Sequence, residues 1–205
     1  MNVMDLLQGQ LSEGFIDQLS QQIGGADRQA TATAASGIMN TLMGALAKNA
    51  STPEGANSLA NALDNDHDGS VLDNLMGILG GDTQPQNERA LNGLGILNHI
   101  LGDRQGSATD MISNMSGLNT SQTSSLMTVL APVVMGFLGQ QKRQQGLDVG
   151  GIASLLMNNV SSNSGSNPLM DMATRFLDQD GDGSVVDDIL GGIGKKFLGN
   201  LFGGK

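Results

Sequence analysis

The sequence predicts an all-α protein, a helical bundle built from a degenerate internal repeat that carries two Asp-rich EF-hand-like loops. Three observations point there. Apolar residues recur at three-to-four spacing in segment after segment, with no sustained alternation of period two. Helix-start signals stand before those segments. One offset sets Gly25 over Gly117, Asp27 over Asn119, Met43 over Met135, Gly44 over Gly136 and Leu46 over Leu138.

Residues 4–23 read as one or two amphipathic helices. Leu6, Leu7 and Leu11 lead into Phe15, Ile16, Leu19 and Ile23, with Ser12 as a second N-cap and Gly24-Gly25 as the stop. Asp27 caps a long Ala-rich helix over about Arg28–Lys48, whose apolar stripe includes Ala35, Ile38, Leu42, Met43 and Leu46. Thr52-Pro53-Glu54 starts the next: a capping hydroxyl, a proline at the first helical position and an acid in the first turn. That helix carries Leu59 and Leu63 into Asp64-Asn65-Asp66-His67-Asp68-Gly69-Ser70, where Ser70 caps an exiting helix over Val71–Leu79. The polar run 82–86 connects to a helix over about Glu88–Leu101. The second half then follows the first, with a long helix over about Thr120–Gln145 bent at Pro132 and another near Val149–Asn158. Ser161–Asn167 reads as a flexible linker, Pro168–Leu177 as a short helix, and a second Asp-rich loop closes the unit. The chain thus divides into 1–81, a connecting 82–107, and 108–205.

The two loops carry the chemistry. Asp64, Asp66 and Asp68 recur as Asp178, Asp180 and Asp182, each set followed by Gly-Ser-Val. Calcium takes six to eight oxygens at about 2.3–2.6 Å. Asp at loop positions one, three and five turns alternate carboxylates toward one centre, and glycine at six permits the sharp turn. The position-seven carbonyls belong to Ser70 and Ser184. Position twelve departs from the pattern, because Leu75 and Ile189 stand where an EF-hand has a bidentate Glu. Asp73 and Asp187, one turn into the exiting helix, are the nearest substitutes, which sets the expected affinity at roughly 10⁻⁵ to 10⁻³ M. Magnesium competes for the same oxygens. A simple helix-capping turn accounts for one such loop less well when the loop is written twice. An Asp-x-Asp phosphatase nucleophile would need an apolar parallel strand, whereas Leu59–Leu63 reads as helix.

Composition narrows the function classes. With 205 residues, 39% hydrophobic and 2% aromatic, the chain must fill its core with Leu, Met, Ile, Val and Ala. The net charge of -10 excludes a phosphate-neutralising face, so nucleic acid is not an expected partner. Nine of the 20 acidic residues fall in or just after the two loops, a density that a cation would offset. Without cysteine there is no thiol chemistry, and no Ser/His/Asp set or phosphate loop can be assembled, so no enzyme is expected. His67, at loop position four, is expected to face solvent, and His99 to be an ordinary helix residue. No signal peptide and no apolar stretch near the ~20 residues of a spanning helix are read, which fits a cytoplasmic protein; signal-independent secretion fits the same sequence. Ile193, Phe197, Leu198, Leu201 and Phe202, with Lys195 and Lys196, resemble a short cationic membrane-active peptide in spacing, although packing back on the bundle explains the stripe more simply.

Asn2-Val3-Met4-Asp5-Leu6-Leu7, Gln21–Gly24, Leu46–Asn49, Thr52–Gly55, Asp64–Ser70 and Gly93–Gly102 together resemble a bacterial family, domain-of-unknown-function family 937. The resemblance is strongest over about 1–105. It implies an all-helical bacterial protein and supplies no activity or site residue. The leading functional expectation is a calcium-binding structural or interaction protein. Two others stand beside it. One is a calcium-responsive module exposing Met39, Met43, Met111, Met115, Met127 and Met135. The other is a membrane-associated protein using residues 193–202.

Overall fold

The structure is a computed structural model, and it describes residues 11–73 and 88–163. All regular structure among the described residues is helical. Apart from α6, each helix starts where a nearby side chain accepts a backbone N–H. The Ser12 hydroxyl accepts the Phe15 N–H to open α1 (Glu13–Gln22). Asp27 accepts the Ala30 N–H at 2.8 Å to open α2 (Arg28–Asn49). Thr52 accepts the Gly55 N–H at α3 (Pro53–Asn65), and the short α4 (Ser70–Asp73) follows the Asp-rich loop. Asn92 opens α5 (Gly93–Leu101), which a single 3₁₀ turn links to α6 (Gln105–Ser116). Asn119 and Gln122 form a reciprocal capping box at α7 (Thr120–Gln145), and Asp148 accepts the Gly151 N–H at α8 (Val149–Asn163). Each such cap is worth about 1 kcal/mol.

The two long helices, α2 and α7, pack on each other at the centre. The short helices that follow them change sides. α3 follows α2 but packs on α7, α8 follows α7 but packs on α2, and α3 and α8 then meet. α1 lies on α2, while α5 and α6 touch both long helices. One contiguous core results, with residues from both halves of the chain, among them Leu19, Ile38, Leu42, Leu97, Leu126 and Leu156. α2 is buried on nearly every side from Ala34 to Ala47, and the offset seen in the sequence carries that pattern onto α7. Every buried position from Thr31 to Ala47 has a buried counterpart from Thr123 to Gly139, except Gly37. Gly25 and Gly117, which precede the two caps, both have positive φ.

Small residues let backbones touch at the crossings. Pro132 lacks the N–H that would satisfy the Thr128 carbonyl. Gly93, at the start of α5, comes up against that same carbonyl oxygen, so closely that a Cβ at 93 would collide with it. The approach suits a Cα–H···O contact, which offsets part of the lost bond.

Several sequence expectations change. The segment read as one helix over 88–101 is a 3₁₀ turn, Glu88–Leu91, followed by a fresh start at Asn92. α6 was not anticipated, and it straddles the boundary drawn at 107. α8 runs through Ser161–Asn163, residues read as linker. α7 is long and apolar enough to cross a membrane by length and composition, with mean hydropathy 1.3 over its best window, contrary to the expectation that no stretch comes close. Of that window 72% is buried inside the bundle, as in a core helix. Residues 4–10, the exit helix beyond Asp73, the polar run 82–86, Pro168–Leu177, the second loop and the stretch 193–202 lie outside the described residues.

Candidate functional site

The first Asp-rich loop is built by the end of α3. The N–H groups of Asp66 and His67 both donate to the Ala62 carbonyl at 3.0 Å, which turns the chain away from the helix axis. Gly69 has φ 93°, a conformation that favours glycine. Asp68 Oδ1 then accepts the Ser70 N–H at 3.0 Å and sets the start of α4.

This turn is pressed onto α7. The His67 carbonyl oxygen meets Gly139, where any Cβ would collide with it. A Cβ on Gly69 would in turn lie 2.9 Å from the Gln140 Cβ and 3.1 Å from the Gly136 carbonyl oxygen. The contact is therefore backbone to backbone, and α7 provides a flat seat of two glycines for it.

Two cations on α7 face the loop carboxylates. Lys142 pairs with Asp64, and Arg143 Nη1 lies 3.6 Å from Asp68 Oδ2. Asp66 is half-buried and has no ion pair among the described residues. Hydrogen bonds from Ser70, its hydroxyl first and its N–H second, hold the Asp68 carboxyl below the ordinary carboxylate range, and Arg143 adds to this. Sequence reasoning missed both cations. They sit in the last turns of a long helix, where basic residues complement the helix dipole wherever they point.

The candidate ligands are thus placed as follows. Asp64, Asp66 and Asp68 share the loop on α7, with Asp64 and Asp68 engaged by cationic side chains. Ser70 begins α4 with an exposed side chain. Asp73 ends α4, and its side chain is outside the described set. Asp178, Asp180, Asp182, Ser184 and Asp187 are outside it entirely. Among the described residues, no group of three or more His, Asp or Glu side chains stands close enough together to hold a metal ion.

His67 corrects an expectation. Its position in the loop predicted a solvent-facing ring, but the ring is 6% exposed, because the loop lies against α7 instead of projecting into water. Burial lowers its pKa from 6.5, with the Asp66 charge opposing, and Nδ1 has no hydrogen-bond partner among the described residues. Beside it runs an open groove of about 1010 Å³ between α3 and α5. Leu46, Leu59, Ile96, Ile100 and Met135 line its floor, with Glu54, Asp66, Lys48 and the exposed His99 around it. Of the methionines singled out in the sequence, Met39, Met43, Met127 and Met135 are core, and Met111 and Met115 are half-buried.

The sequence model described as bacterial protein of unknown function (DUF937) matches residues 5–141 and 143–205. The chain belongs to this family. No curated protein and no solved structure matches it. Within this DUF937 chain the loop and its seat on α7 both fall in the first matched segment.

Proposed function

We propose that the protein is a divalent-cation-binding helical structural or interaction protein, with calcium as its ion, magnesium as the competitor, and no catalytic role. The observation that carries this reading is the seating of the Asp64–Ser70 backbone on Gly136 and Gly139, in a loop where Lys142 and Arg143 pair with Asp64 and Asp68 but not with Asp66. An ion there competes with Lys142 and Arg143 for Asp64 and Asp68, recruits Asp66, and ties the end of α3 to α7. Recurrence of the same residues at Asp178–Ser184 supports a second site of the same kind. The alternative in which Met-rich faces open on calcium gains little support, since four of those six methionines are core filler.

Calcium titration by calorimetry, with thermal unfolding in parallel, tests the proposal on the wild type, Asp66→Ala and Asp180→Ala. The expected affinity lies at roughly 10⁻⁵ to 10⁻³ M, with each substitution removing one site. Occupancy at ~100 times Kd should add about 2.7 kcal/mol per site. Lys142→Gln should bind more tightly than wild type, because the ion no longer competes with an internal cation. Absence of calcium heat at millimolar concentration, with an unchanged melting temperature in all proteins, would overturn it.

A further inference from the structure

The groove between α3 and α5 has an apolar floor and an acidic rim. Leu46, Leu59, Ile96, Ile100 and Met135 form the floor, and Glu54 and Asp66 stand on the rim with Lys48 as the cation. Leu94, on α5 next to the groove-lining Gly95, is a large apolar side chain left 60% exposed. At one end of the groove stands the buried His67.

The sequence contains a segment of matching chemistry. Ile193, Phe197, Leu198, Leu201 and Phe202 fall on one face at helical spacing, the pattern of a helix that lies in a groove. Charge separates this segment from everything before it. All 20 acidic residues precede residue 189, whereas Lys195, Lys196 and Lys205 follow it with no acid among them. The chain therefore carries one cationic amphipathic stretch and an otherwise strongly acidic body, with two acids on the groove's rim. Distance does not prevent the encounter. α8, which ends at Asn163, packs on α2 and α3, two helices that also contribute residues to the groove. The thirty residues from Asn163 to Ile193 can span about 100 Å at roughly 3.3 Å each, well beyond a bundle of this size.

We propose that the groove between α3 and α5 is the docking site of the chain's own residues 193–202. The apolar face lies on the Leu59–Ile96 floor, and Lys195 and Lys196 meet the Glu54 side of the rim. Asp66 is shared with the proposed ion site; Glu54 and the apolar floor, which that site does not use, carry the contact.

The absence of cysteine makes a clean test possible in the full chain. Ser58→Cys on the groove paired with Asn200→Cys, treated with a short bis-maleimide at low protein concentration, should cross-link within one chain. Ser121→Cys on the first turn of α7 paired with Asn200→Cys is the control. The groove pair should react at least about tenfold faster, a ratio matching the 1.4 kcal/mol that one order of magnitude represents. Glu54→Lys should cut that advantage several-fold, and Lys195→Glu with Lys196→Glu should do the same. Equal rates for the two pairs, or cross-links only between chains, would overturn the proposal, the latter in favour of a second copy as occupant. Flotation of the full chain with anionic vesicles, lost on Phe197→Asp, would overturn it in favour of a lipid surface.

Discussion

At the scale of single residues, two buried polar side chains set measurable costs. Asn40 is fully buried in α2, and neither its amide nitrogen nor its amide oxygen has a hydrogen-bond partner among the described residues. An unsatisfied buried polar group costs about 1–3 kcal/mol. Asn40→Leu, close in volume and apolar, should therefore raise the free energy of unfolding by an amount of that order in a urea titration. A loss of stability would show instead that the amide has a partner. His67 makes the opposite kind of statement. Burial holds its folded-state pKa below 6.5, so the unfolded chain takes up a proton that the folded chain refuses. Its contribution is complete above 6.5 and is lost as pH falls toward and through the folded value. Urea midpoints for the wild type should fall between about pH 7.5 and pH 5.5. His67→Gln should flatten that part of the profile, leaving the decline from Asp68, whose pKa is also lowered, to a more acidic range.

At the scale of elements, the contact between loop and α7 depends on the absence of a side chain. Gly139→Ala forces the His67 carbonyl off its seat, and overpacking of this kind costs about 1–3 kcal/mol. The variant should show that loss in denaturant unfolding, and a weaker calcium response than wild type, because the loop can no longer rest between Gly136 and Gly139. How much of this was legible beforehand depends on where the signal sits. Helix starts at Glu13, Arg28 and Pro53 were readable because Ser12, Asp27 and Thr52 satisfy backbone N–H groups locally, and the structure shows each bond. α6 was not, since Arg104 makes no side-chain cap and the buried face is Ala108, Thr109, Ile112 and Ser113, too small and polar to give a hydrophobic period. The break at Asn92 was hidden inside an apolar run. The orientation of His67 was lost for a different reason: loop position alone decides it only when nothing packs on the loop. The partners of Asp64 and Asp68, Lys142 and Arg143, lie 78 and 75 positions away, beyond any local pattern.

At the scale of the whole molecule, the crossing over of α3 and α8 removes any half that could stand alone. α3 completes its burial on α7, and α8 on α2, so neither half retains a closed core if the other opens. Native-state amide exchange should accordingly give the slowest protons of α3 and α8 the same opening free energy as those of α2 and α7. A separate, lower-energy opening shared by α2 and α3 would contradict this.

The same crossing over fixes an order of events during synthesis. α3 is complete at Asn65, but α7, on which it packs, is not finished until Gln145. At about 5–20 residues per second, the apolar face of α3 waits roughly 4 to 16 s for its cover to leave the ribosome. For that interval the nascent chain displays an amphipathic helix with no partner of its own, the kind of surface that chaperones bind.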